Sequence, residues 1–416
     1  MAHFDFSTFG LGRIDEIIDA LLRQYNVSSI AYVPLIDKVE ALCFSVGLSI
    51  RELDEMIASN SPVLRSVKGH CFEVVFEQLL AKNGYKPKDV GGDTDTDLEV
   101  NGLSLQLKTP NMGGTNETRV QYKTHKTHGA KSVQESVEYL HTVDSFADYL
   151  VGLISYYPFR AYILPKALLP RWKGDENYIE SPFYLPLPES GNYDHIYQYI
   201  NNFSQIGVEI RDWDIDITPN RNEVLPLTAS VLGLRSEVVV DSIMRKCNFR
   251  IWDMSIRGFT RETAMERWLD RNAVNYSTDT YKYRKERADK ADLVLLTNPY
   301  RPIFVQVKGL TLGGCRFNRE NSVLDVESQL SRGRVNDDET KSRLYMTTDF
   351  DYLGVVVDPL VNYKITGKME WDYYMIPTSK LKTHPSFPRR VFSHQYLVYK
   401  DIQEYKLTMA RIREID

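Results

Sequence analysis

The sequence predicts an α/β (α+β) chain in which two homologous α/β domains follow a helical N-terminal segment. Three observations predict it. The chain has 416 residues, and at roughly 150 residues per domain that length suits two or three domains. Hydrophobic residues make up 43% and charged ones 26%, which argues against a disordered, collagen-like or repeat-polar chain. The third observation is a degenerate internal repeat. QLKTPNMGGTNETR (106–119) and QVKGLTLGGCRFNR (306–319) match at Gln, Lys, both glycines and the final Arg. A second matched pair keeps the same order. FADYLVGLISYYPFRAYILPKALL starts at Phe146, and FDYLGVVVDP starts at Phe350 and leads to YYMIPTSKL. These segments place boundaries at 1–60, 61–225 and 226–416.

From Ile14 to Ala58 apolar positions recur at helical spacing, in IDEIIDALL and again in IDKVEALCF. VGLSIRELDEMI then offers a Gly-containing turn and Ser49 as an N-cap. Two readings stand for this segment: a small helical bundle, or the second half of a helix-turn-helix.

The first copy contains TDLEV-NG-LSLQLKT. Asn101-Gly102 is a strong two-residue hairpin signal. Counting outward sets Leu98 against Leu105 and Asp97 against Gln106. Side chains alternate faces along a strand, so Asp97, Gln106 and Lys108 converge on one polar patch. The second copy contains ADLVLLT-NPY-RPIFVQVKG. A three-residue turn at 298–300 sets Asp292 against Gln306, with Lys308 on the same face. An Asp carboxylate and a Gln carbonyl are hard oxygen ligands suited to Mg²⁺. A nearby Lys orients or deprotonates an attacking water, or steadies charge growing on a phosphate. Asp97 and Gln106, and Asp292 and Gln306, are therefore the expected metal ligands.

A helix precedes each hairpin. KGHCFEVVFEQLLAKNGY (68–85) places Glu73 and Glu77 one turn apart, and TRETAMERWLDRNAVNY (260–276) carries Glu266. Glu73 lies 24 residues before Asp97 and Glu266 lies 26 before Asp292, which pairs them as helix carboxylates. Asp93 and Asp95 are loop acids in the same region.

Net charge is −5, so contact with nucleic acid requires local positive charge. The run RVQYKTHKTHGAK holds Arg119, Lys123, Lys126 and Lys131 without an acid. Arg316 and Arg319 occupy the corresponding stretch of the second copy, and KYRKERADK (282–290) is a second basic run. These are candidate DNA contacts. His125 and His128 lack a third ligand and make a poor metal pair. Gly113-Gly114 and Gly313-Gly314 either admit phosphate to backbone N–H groups or serve as turns. Cys43, Cys71, Cys247 and Cys315 stand alone, against a zinc ribbon or disulfide framework. No secretory pattern and no long apolar run occur, so no membrane association and a cytoplasmic location are expected.

The paired Asp…Gln-x-Lys pattern resembles the PD-(D/E)XK nuclease superfamily, and within it the type II restriction endonucleases. LSLQLKTP is also similar to the ELKT-type strand of the mismatch-repair nicking endonuclease. Gln106 and Gln306 depart from the acid that the family most often has there. The resemblance implies a Mg²⁺-dependent endonuclease cutting double-stranded DNA at a specific sequence, leaving 5′-phosphate and 3′-hydroxyl ends. Asp97, Gln106, Lys108 and Glu73 would form one site, and Asp292, Gln306, Lys308 and Glu266 the other. The chain would act as a monomeric pseudo-dimer or as a homodimer, with a companion DNA methyltransferase in the same system. The alternatives are a structure-specific or DNA-repair nicking nuclease, and a non-cleaving DNA-binding protein with a nuclease fold.

Overall fold

The computed structural model describes residues 6–90, 96–111, 115–124, 140–188, 194–244, 250–284, 290–298, 300–329 and 344–415. The chain is mixed α and β. It forms two compact units, Ile57–Asn248 on one side and Met1–Met56 with Phe249–Asp416 on the other. These limits differ from those drawn on the sequence at 60/61 and 225/226. Side-chain contacts explain both shifts. The Cys71 thiol lies 3.6 Å from the Ser242 hydroxyl, tying the helix Ser236–Met244 to the first unit. Arg257 donates to the Leu11 carbonyl at 3.2 Å and Arg267 to Glu52 at 2.6 Å, tying the N-terminal helices to the second.

In the first unit the long helix α4 (Ser61–Lys82) starts at Asn60, whose side chain accepts from the Val63 N–H at 3.2 Å. Its buried residues include Val67, Phe72, Val75, Phe76 and Leu79. The strands are β1 (Lys88–Asp89), β2 (Leu98–Val100), β3 (Leu103–Lys108), β4 (Arg119–Tyr122), β5 (Tyr149–Tyr156), β6 (Phe159–Pro165), β7 (Arg171–Trp172), β8 (Asp175–Ile179) and β9 (Phe183–Pro186). The main sheet runs β1-β2-β3-β5-β6, and β4-β9 and β7-β8 are separate two-stranded ribbons. β3 and β5 are parallel and the other neighbours antiparallel. Asn101 and Gly102 have φ of 53° and 79°, the doubly positive pair that a tight hairpin turn demands. The register is the one expected from that turn, with Leu98 opposite Leu105.

In the second unit, α1 (Ile14–Tyr25), α2 (Leu35–Val46) and α3 (Ile50–Ser59) precede the helix Arg257–Arg271. Ser49 and Glu52 cap α3 reciprocally, and the Glu52–Arg267 pair turns that helix toward its own unit. The strands are β10 (Tyr276–Ser277), β11 (Leu293–Leu295), β12 (Ile303–Lys308), β13 (Val323–Glu327), β14 (Tyr352–Val357), β15 (Asp372–Pro377), β16 (Thr383–His384), β17 (Phe387–Val391) and β18 (His394–Val398). The main sheet runs β10-β11-β12-β14-β15, with ribbons β13-β18 and β16-β17. β12 and β14 are parallel and the other neighbours antiparallel. The helix Arg257–Arg271 packs Ala264, Met265 and Leu269 onto Leu293, Leu295, Val305 and Val307. Val294, Phe304, Leu353 and Val355 fill the opposite core with residues from β13 and β17.

The two units thus share strand order, pairing sense and smaller details. Asp148 accepts from the Ser104 N–H at 3.0 Å, as Asp351 does from the Phe304 N–H at 2.9 Å. Edge-on ring pairs recur at His141–Phe146 and Tyr345–Phe350, with centroids 5.5 and 5.2 Å apart. No helix among the described residues is long and apolar enough to cross a membrane.

Candidate active site

Each hairpin delivers the same three side chains to the same place. Asp97 precedes β2 and is fixed by its N–H, which donates to the Leu105 carbonyl at 2.8 Å. Its Oδ2 accepts from Gln106 Nε2 at 2.6 Å and from the Leu107 N–H at 2.6 Å. In the second unit the Asp292 N–H donates to Val305 at 3.0 Å. Asp292 Oδ2 accepts from Gln306 Nε2 and, at 2.7 Å, from the Val307 N–H. The register places Asp292 opposite Gln306 because Leu293 pairs with Val305. Gln106 and Gln306 are each only 3% exposed. A buried amide here satisfies the aspartate with a hydrogen bond, where an acid would repel it.

The electrostatics agree between units. Burial pushes the Asp97 carboxyl above its ordinary range, Lys108 opposes this and Glu73 adds to it. Burial likewise raises Asp292, with Lys308, the Val307 N–H and Gln306 opposing. Glu73, which also lies 3.2 Å from His70 Nδ1, is thus a helix acid whose charge acts on Asp97.

On the helix of the second site two acids stand near the trio: Asp292 and Lys308 both act on Glu262, and Asp292 also acts on Glu266. Burial first, then repulsion from Asp292, raises the Glu262 carboxyl to about 8 against the pull of Lys308. Glu266 stands one turn further along. Burial and Asp270 raise it first, ahead of Asp292, and it bonds Tyr276. The link between the helix and the aspartate differs in length between the units if Glu262 is matched with Glu73. Glu262 lies 30 residues before Asp292, against 24 from Glu73 to Asp97. A signal for that pairing was present: Lys68-Gly69 before Glu73 and Glu77 matches Arg257-Gly258 before Glu262 and Glu266. Both helices also end alike, with Asn83 Nδ2 donating to Leu79 and Asn272 Nδ2 to Trp268.

Sequence reasoning also missed a buried clamp beside the second site. Arg261 Nε and Nη2 bond Asp358 Oδ1 and Oδ2 at 3.1 and 2.6 Å, and Arg257 Nη1 lies 3.4 Å from Asp358. The Arg261 side chain crosses Gly309, where a Cβ would stand 2.0 Å from its Cδ. Arg261 adjoins Glu262 in sequence and packs over Gly309 just beyond Lys308, while its ion pair holds the helix to Asp358 at the end of β14. The first unit has Phe72 and Thr109 at these places in the repeat.

The basic candidates are scattered. Arg119 lies on β4 and Lys123 just beyond it, both exposed. Arg316 and Arg319 are exposed around the turn before β13, and Arg319 has φ of 47°. The matched arginines of the repeat are not equivalent. Asn111 N–H donates to the Gln121 carbonyl as Thr311 N–H donates to Asp325, each at 2.8 Å. That pairing puts Val323 in the place of Arg119. Gly314 is explained by close approach: a Cβ there would meet Asp325 Oδ2 at 1.9 Å. Its N–H bonds Thr311 rather than standing open to phosphate. Lys126, Lys131, His125, His128, Asp93, Asp95, Gly113 and Gly114 lie outside the described residues.

Among the described residues no three His, Cys, Asp or Glu side chains cluster as a metal site. The donor set still fits a hard dication. Each site offers a buried aspartate, a glutamine and a helix glutamate, and Gln306 Nε2 lies 3.4 Å from the Val307 carbonyl. Carboxyls raised by burial mark negative charge that a cation would offset.

A stability prediction follows from Glu262. Its folded carboxyl titrates at about 8 against an ordinary 4.5, so the folded state holds a proton that the unfolded chain releases across that window. The associated stability is full below the lower value and is lost as pH rises through the upper one. In EDTA the melting temperature is expected to fall between these pH values, and Glu262→Gln to flatten the fall. A flat wild-type profile would contradict this.

No family model, curated protein or solved structure matches the chain.

Proposed function

We propose that the chain is a Mg²⁺-dependent endonuclease on double-stranded DNA, of the PD-(D/E)XK type, with two active sites produced by tandem duplication of one fold. The observation that carries this reading is the repeated assembly of Asp, Gln, Lys and a helix Glu on sheets of the same order. Its substrate would be a specific duplex sequence, cut by one chain acting as a pseudo-dimer in the cytoplasm beside a companion methyltransferase.

Asp97 with Gln106, and Asp292 with Gln306, would hold the metal, joined by Glu73 and Glu262. Bound Mg²⁺ supplies Lewis acidity toward the scissile phosphate. The remaining work falls to the chain. Lys108 and Lys308 orient the attacking water and offset charge that grows on the phosphate oxygens. Gln106 and Gln306 keep the aspartates aimed through their Nε2–H donors.

One observation favours a second reading, a non-cleaving DNA-binding protein. Both aspartates already receive two hydrogen bonds at Oδ2, which competes with metal ligation. Incubation with long linear duplex and with branched DNA, in Mg²⁺ and in EDTA, separates the readings. Discrete fragments from linear duplex in Mg²⁺ alone are expected. Cutting confined to branched DNA would indicate a structure-specific nuclease, and binding without cutting in either form would overturn the enzyme reading.

A further inference from the structure

We infer that the β4–β9 ribbon of the first unit is a DNA-contacting element and that Arg119 is its principal contact, an inference that rests on the nuclease reading. The ribbon has two chemically distinct faces. Val120, Tyr122, Phe183 and Leu185 are buried in the core beneath it. Arg119 and Tyr184 are exposed on the other side, Tyr184 by 41%.

Here the arrangement is held firmly. The Arg119 guanidinium carbon sits 4.2 Å from the Tyr184 ring centroid, within cation–π range. The Tyr184 hydroxyl accepts from Gln121 Nε2 at 2.6 Å, and Gln121 Oε1 accepts from Asn111 Nδ2. A guanidinium held over a ring in this way keeps its N–H donors available for a further partner. Among the described residues no carboxylate forms an ion pair with Arg119. A rigid fork of that kind matches a phosphate or a guanine edge, and a two-stranded ribbon is narrow enough for the major groove.

Placement supports the same partner. Asn111 stands three residues beyond Lys108, and its N–H donates to the Gln121 carbonyl. The ribbon is therefore laced to the exit of the strand that bears the lysine. The equivalent ribbon of the second unit carries different groups. Val323 replaces Arg119, and Asp325 replaces Gln121 and binds His394 Nδ1 at 2.9 Å, with Tyr396 opposite it. A carboxylate at that point repels phosphate, so this cationic contact belongs to the first ribbon.

The test is fluorescence anisotropy of a mixed-sequence DNA duplex in EDTA, titrated with salt, so that cleavage plays no part. Arg119→Ala is expected to weaken binding about tenfold and to reduce the salt slope by about one. Arg119→Lys should restore the slope but not the full affinity. Tyr184→Ala should weaken binding while keeping the slope. Wild-type affinity and slope in Arg119→Ala would overturn this inference alone. A wild type that binds no DNA would overturn the nuclease reading with it.

Discussion

Lys308→Ala and Lys108→Ala are each expected to turn double-strand cutting of a plasmid into nicking. Each lysine is the cation that opposes the raised carboxyls of its own site, Lys108 at Asp97 and Lys308 at Asp292 and Glu262. Removing it deprives the phosphate of a positioned positive charge, an effect of roughly 10²–10³-fold on rate for one such group. It also takes from each aspartate the nearby cation that opposes its raised carboxyl. Lys→Arg would keep the charge but not the compact point donor, and partial activity is expected. The double variant should neither cut nor nick. Agarose separation of supercoiled, nicked and linear plasmid reads all four outcomes.

The second large effect concerns Asp358. Its side chain is fully buried between Arg257 and Arg261, which are 1% and 8% exposed. Burial pushes this carboxyl up, but Arg261 and Arg257 outweigh it and hold it below the usual carboxylate range. Asp358→Ala strands two guanidinium groups in the interior. Breaking a buried pair in this way costs about 3–5 kcal/mol, or roughly a 10 °C fall in melting temperature for a unit of this size. Gly309→Ala attacks the same clamp from the other side by driving a methyl group into Arg261. Differential scanning calorimetry of both variants checks this. An unchanged melting temperature in Asp358→Ala would mean that the buried ion pair does not support the unit.

Much of this architecture was legible because two kinds of signal are local. Asn101-Gly102 fixes its own turn, and an alternating strand then fixes which residues face one another, so Asp97 with Gln106 could be placed by counting. The same counting placed Asp292 with Gln306 across a longer turn. What failed was long-range. Distance along the chain points to Glu266 and gives no weight to Glu262, because it is a poor guide across a link of variable length. The repeated arginines were matched by offset, yet the longer turn before β13 moves Val323 into the place of Arg119. The helices before and after each sheet joined units that composition did not reveal. Their attachment rests on packing between elements distant in sequence, as at Glu52 with Arg267 and Cys71 with Ser242. The Arg261–Asp358 clamp joins residues 97 positions apart, and no local pattern announces such a pair.

The central claim is that each unit cuts one strand. Mapping cleavage on a duplex carrying a different label on each strand tests it most directly, with Lys108→Ala and Lys308→Ala beside the wild type. The wild type is expected to cut both strands in Mg²⁺, one variant to spare one strand, and the other variant to spare its complement. Loss of both strands in one variant, with full cutting in the other, would contradict it and leave a single active site in the chain.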